Sequence, residues 1–137
     1  MKRVIVDTGP LVALLNGNDS QHEWARVVLD RIEPPLVTCE AVVSEACFLL
    51  HRIHGGQDAV MELLARDVVA IDFSLRAEHD AVRKLMARYK SVPMSLADAC
   101  LVRMSELDDK ATVLTLDSDF GIYRRNRRQA IPTIRPK

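Results

Sequence analysis

The sequence predicts an α/β fold in which a parallel sheet is covered by helices. Two observations carry that expectation. Continuous Val/Ile/Leu runs of strand length recur along the chain, and the segments between them carry apolar residues at helical spacing. Strands that are apolar throughout, rather than alternating, belong to parallel sheets buried on both faces, and intervening helices supply the crossovers.

Each element has its own signal. The first strand covers residues 3–6 and stops at Asp7. Thr8-Gly9-Pro10 then puts a proline at a first helical position, where its missing N–H is no loss. A second helix carries Trp24, Val27, Val28 and Ile32; Asp19 or Ser20 can cap it, and Pro34-Pro35 stops it. Residues 36–38 form the second strand. Thr38 can cap the next helix, whose stripe of Val42, Ala46, Leu49 and Ile53 ends at Gly55-Gly56. The third strand covers residues 68–71. Ser74 can cap a helix reaching about Tyr89, and Ser95 opens another that runs through Leu107. Residues 112–116 make the fourth long strand and 131–134 a short edge. No repeat, low-complexity segment or linker interrupts the 137 residues, so a single domain over residues 1–137 is expected.

Composition narrows the function classes. A 48% apolar content is enough for a core of its own. The 19 basic and 19 acidic side chains cancel, which argues against a general basic coat for nucleic acid and leaves such binding to a local patch. Cys39, Cys47 and Cys100 are odd in number and lack CxxC spacing, as small core residues in a reducing compartment would. Only three apolar residues separate Arg3 from Asp7, too few for a secretory signal, and no run approaches a membrane span. A cytoplasmic protein with no membrane partner is expected.

The informative residues are acids in costly places. Asp7 and Asp117 each close an apolar strand, Glu45 lies on the shoulder of an apolar helix stripe, and Asp98 sits in the first turn of another helix. Ligands of open α/β sheets gather beyond the carboxyl ends of the strands, which is where Asp7 and Asp117 fall. A carboxylate beside a buried stripe is unfavourable unless something positive meets it, and no Lys or Arg adjoins these acids in sequence. A divalent ion is the simplest agent that makes the set tolerable, and hard oxygen ligands suit Mg²⁺ or Mn²⁺. Each acid also has a plainer reading. Asp7 can cap the first helix, Glu45 can snorkel, Asp98 completes a capping-box-like Ser95-Leu96-Ala97-Asp98, and Asp117 or Asp119 can shape a turn.

Four short motifs in this order carry a resemblance. Val-Ile-Val-Asp7-Thr8, the helical Glu45, Leu96-Ala97-Asp98-Ala99 and Thr115-Leu116-Asp117-Ser118-Asp119-Phe120 resemble the PIN-domain ribonucleases, most closely the small VapC-like toxins of toxin–antitoxin pairs. The resemblance implies a three-layer α/β/α sandwich with sheet order 3-2-1-4-5, which makes Asp7 and Asp117 neighbours. It implies that Asp7, Glu45, Asp98 and Asp117 are catalytic and hold one or two Mg²⁺ or Mn²⁺ ions. Asp119 is an additional candidate ligand that can share or exchange a role with Asp117, and Thr8 and Ser118 are supporting residues. It further implies an endoribonuclease acting on RNA, a homodimer and a protein antitoxin. Trp24 and the apolar side of its helix fit such a contact or ordinary core.

The remaining candidates are weaker. Arg124, Arg125, Arg127 and Arg128 form the one basic run, either a solvated turn or an RNA-phosphate contact. His51 and His54, three apart at a helix end, lack a third ligand of matching type. Two other classes stay in view. One is a non-catalytic PIN-like module that binds RNA or protein without cutting. The other is a phosphoacceptor receiver domain, for which Asp72 is the only near match to the acceptor and no strand-end Lys fits.

Overall fold

The computed structural model describes residues 3–137. The five expected strands form one parallel sheet: β1 (Val4–Val6), β2 (Leu36–Thr38), β3 (Val69–Ile71), β4 (Thr112–Leu114) and β7 (Thr133–Ile134), in the order β3-β2-β1-β4-β7. This is the α/β order the motifs implied, with the last strand of the chain at one edge. The register pairs Val6 with Leu114, so the residues following β1 and β4 emerge side by side. Ile5, Val6, Leu36, Val113 and Leu114 are buried, as strands covered on both faces require.

Helices flank the sheet. α1 (Thr8–Leu15) packs with α2 (His22–Asp30), α3 (Glu40–Leu49) and α4 (Gly56–Ala65). α5 (Leu75–Arg88) pairs with α6 (Leu96–Leu107), and α6 lies against β1 and β4. Among the described residues no helix is long and apolar enough to cross a membrane. Trp24 packs against the main core, and Cys39 and Cys100 are buried within it.

The caps at α5 and α6 are those the sequence signalled. Ser74 accepts from the Ala77 N–H at 3.1 Å and Ser95 from the Asp98 N–H at 3.0 Å. Other boundaries moved. Thr38 does not cap α3: its hydroxyl is buried and donates to the Val6 carbonyl at 2.8 Å, tying β2 to β1, and Cys39 occupies the cap position. Asp19 accepts from the Gln21 N–H at 2.8 Å, building a turn one step before α2. The helical stripe expected to run to Ile53 stops at Leu49, and a separate α4 begins at Gly56. A Cβ on Gly56 would stand 2.5 Å from the Leu50 carbonyl oxygen, so only glycine admits this close turn between helices.

The basic run also folds in a way its charge does not announce. β5 (Arg124–Arg125) and β6 (Gln129–Ala130) form a small antiparallel hairpin, with Asn126 and Arg127 at φ of 51° and 72° in its turn. Arg125 is buried at 3% exposure and donates to the carbonyls of Ser105 and Asp109 at the end of α6. Arg124 donates to the carbonyls of Gly121, Ile122 and Tyr123. Arg125 is buried with two of its nitrogens on backbone carbonyls and its Nε without a partner among the described residues, so the RNA-phosphate assignment to Arg125 is corrected to a structural one. Arg127 and Arg128 are the exposed members of the run.

Candidate active site

Asp7, Asp98 and Asp117 meet at the carboxyl end of the sheet, where β1 and β4 stop beside the start of α6. They line a cleft of about 280 Å³ together with Thr8, Glu45 and Leu116. Asp7 reaches it because its backbone N–H continues the sheet, donating to the Leu114 carbonyl at 3.0 Å, before α1 begins. A Cβ on Gly9 would stand only 3.1 Å from the Leu116 Cβ, so the small residue after Thr8 lets α1 begin against the Asp117 loop.

Asp7 is the anchor. It is 7% exposed; Oδ1 accepts from the Thr8 N–H and Oδ2 from the Thr115 hydroxyl, both at 2.7 Å. The Thr115 hydroxyl also accepts from the Asp117 N–H at 2.9 Å, so one buried group joins the two strand-end acids. Burial pushes the Asp7 carboxyl up to about 6 from an ordinary 3.8. The two hydrogen bonds oppose that rise, and the negative charges of Asp98 and Asp117 add to it. Burial likewise raises Asp98, opposed by the Tyr123 hydroxyl and assisted by the charge on Asp117.

The plainer readings are also realised. Asp7 caps α1 through Oδ1, and Asp117 Oδ1 accepts from the Asp119 N–H at 2.9 Å, opening a short 3₁₀ turn over Ser118–Gly121. Asp98 keeps its place in the capping pattern, its carboxylate hydrogen-bonded by Ser95, and its Oδ2 also accepts from the Tyr123 hydroxyl at 2.8 Å. Glu45 lines the cleft from α3 with its side chain exposed. Asp119 and Ser118 are not among the residues lining it.

The electrostatics of the cleft are one-sided. Among the described residues every ion pair lies elsewhere, and none reaches Asp7, Glu45, Asp98, Asp117 or Asp119. The Thr8 hydroxyl is buried there without a hydrogen-bond partner among the described residues. Among the described residues no three His, Cys, Asp or Glu side chains stand close enough to form a ready metal cage. Oxygen donors spread around a cleft large enough for water fit a hard cation that keeps part of its hydration, and an all-protein cage does not describe them.

Two contributors escaped sequence reasoning. Thr115 was visible as a polar residue inside the run Val113-Leu114-Thr115-Leu116, beside Asp117. Tyr123 gives no local signal, because its tie to Asp98 spans 25 residues. Asp72 pairs with Arg3 at the far end of a second hollow, of about 230 Å³, also lined by Ile5, Val37, Met104 and Leu107. Asp72 is thus an exposed acid that does not line the cleft of Asp7, Asp98 and Asp117.

A parallel sheet of this order, with acids at its switch point that no described Lys or Arg pairs, defines an α/β acidic-cleft protein. The sequence matches the PIN domain family over residues 4–126, and the chain belongs to that family. Its fold is similar to that of VapC20 from Mycobacterium tuberculosis, described as a toxin that cleaves the sarcin–ricin loop: 21% identity, a TM-score of 0.77, 94% of this chain and 99% of that one. No curated protein matches the sequence significantly.

Proposed function

We propose that this chain is a divalent-metal-dependent endoribonuclease and the toxin of a toxin–antitoxin pair. The observation that carries the reading is the meeting of Asp7, Asp98 and Asp117 in one cleft with no ion-pair partner among the described residues. Membership of the PIN family and the VapC-like fold support it.

Asp7, Asp98 and Asp117, with Glu45 at the rim, would hold one or two Mg²⁺ or Mn²⁺ ions, and Asp119, two residues after Asp117, would be a further acid. Such an ion lowers the pKa of water and neutralises charge developing on a phosphate. The chain's own part is positional. Thr115 fixes Asp7 relative to Asp117, the α1 N-terminus at Thr8 presents a partial positive charge, and the exposed Glu45 at the rim would meet an ion or its water. Leu49, more than half exposed at the rim, and Phe48 beside it give an antitoxin an apolar edge next to the acids. A homodimer working in the cytoplasm completes the reading.

The test is Asp7→Asn. With Mg²⁺ or Mn²⁺, the native chain cuts RNA and the variant, folded, does not. Full cleavage by the variant rejects the assignment. RNA binding without cleavage by the native chain would instead establish a non-cutting module of the same fold.

A further inference from the structure

We infer that Tyr123 is the positioning residue of Asp98: a buried phenol that fixes this carboxylate at the cleft and thereby sets how tightly the acids take a divalent cation. The inference rests on the metal-dependent reading above and adds a residue that does not itself face the cleft.

The phenol is held with little freedom. Tyr123 is 0% exposed. Its ring meets Tyr89 and Phe120 edge-on, both at 5.2 Å between centroids. Tyr89 is pinned in turn, its hydroxyl accepting from the Arg124 N–H at 2.9 Å. The block therefore spans α5, the turn after Asp117 and the hairpin, and it leaves the Tyr123 oxygen one outlet, Asp98 Oδ2 at 2.8 Å. A buried hydroxyl without a partner costs about 1–3 kcal/mol, so the phenol and carboxylate stay engaged.

Two effects of that bond oppose each other. A donor on a carboxylate draws charge from it and weakens it as a ligand. It also fixes the carboxylate's orientation before an ion arrives. Orientation dominates in metal sites generally, where removing such a partner typically costs about 10–100-fold in affinity or activity. Without the hydroxyl, the Asp98 carboxylate would keep its Ser95 contacts at the start of α6 and lose the one bond that fixes Oδ2 from the opposite side chain.

Tyr123→Phe tests this, with Tyr89→Phe as a matched control that deletes a hydroxyl of the same block without touching Asp98. Mn²⁺ affinity is measured calorimetrically on the full chain without RNA, beside the thermal midpoint and cleavage as a function of Mn²⁺. Tyr123→Phe should weaken Mn²⁺ binding about ten-fold, with cleavage recovered at high Mn²⁺. Tyr89→Phe should lower the thermal midpoint comparably and leave Mn²⁺ affinity within about two-fold of the native chain. Unchanged Mn²⁺ affinity in Tyr123→Phe, or equal losses in both variants, overturns the positioning role. If the native chain still binds Mn²⁺ and cuts RNA, that result leaves the ribonuclease reading intact. A native chain that does neither rejects the ribonuclease reading, and this inference falls with it.

Discussion

Asp7 shows at the scale of one residue how a site is maintained against the fold's own stability. Its carboxyl titrates at about 6 in the folded chain against an ordinary 3.8. A raised carboxylate pKa means the folded state holds its proton more tightly than the unfolded state. The associated stability is therefore present below about pH 4 and lost as pH rises to about 6. At neutral pH the ionised carboxylate costs the cation-free fold roughly 3 kcal/mol, two pH units at 1.36 kcal/mol each. Asp7→Asn removes the charge and keeps an acceptor for the Thr8 N–H. It should raise the thermal midpoint of the metal-free chain at pH 7 and bring native and variant curves together at pH 4. A native chain as stable as the variant at pH 7, by thermal denaturation in a chelator, would mean the charge is already compensated. Mg²⁺ should narrow the gap, since it stabilises only the chain that binds it.

At the scale of elements, what local chemistry decides was legible and what tertiary packing decides was not. The five sheet strands and the Ser74 and Ser95 caps follow from β-branched runs and side-chain acceptors, and the structure has them where the sequence signals them. The strand-end position of Asp7 was equally readable, because an apolar run that ends in an acid can be seen locally; β4 stops at Leu114 rather than at residue 116, and Asp117 instead caps the short turn that follows. α4 was missed because Gly55-Gly56 signals a stop without saying that another helix follows; the reason lies in the Leu50 carbonyl pressing on Gly56. Within the arginine run, the burial of Arg125 was illegible for a similar reason. Charge alone does not tell a solvated side chain from one that caps a helix end, and Arg125 does the latter. Arg125→Ala should therefore cost about 2–3 kcal/mol by urea denaturation, since it strands the Ser105 and Asp109 carbonyls and leaves a cavity. Arg127→Ala, exposed in the hairpin turn, should stay within about 0.5 kcal/mol. Equal costs for the two would deny Arg125 its structural role.

At the scale of the whole molecule, zero net charge hides a separation. Among the described residues the cleft is lined by acids and by no Lys or Arg, while exposed Arg127 and Arg128 lie on the hairpin that follows the Asp117 turn. RNA approaching such a cleft meets repulsion from the carboxylates, so affinity has to come from elsewhere on the surface or from a cation in the cleft. Each phosphate neutralised by an arginine releases counterions, giving a slope of log affinity against log salt of about −0.7 per contact on single strands. Replacing Arg127 and Arg128 with Gln in the non-cleaving Asp7→Asn chain should therefore make that slope shallower by about 1.4. Arg125 has no place in this comparison, because its guanidinium already serves the end of α6. The measurement is binding of a single-stranded RNA over a range of salt concentrations. A shallower slope locates the RNA backbone along the hairpin. An unchanged one moves the RNA to another face of the molecule, and the hairpin's exposed charge is then solvated surface.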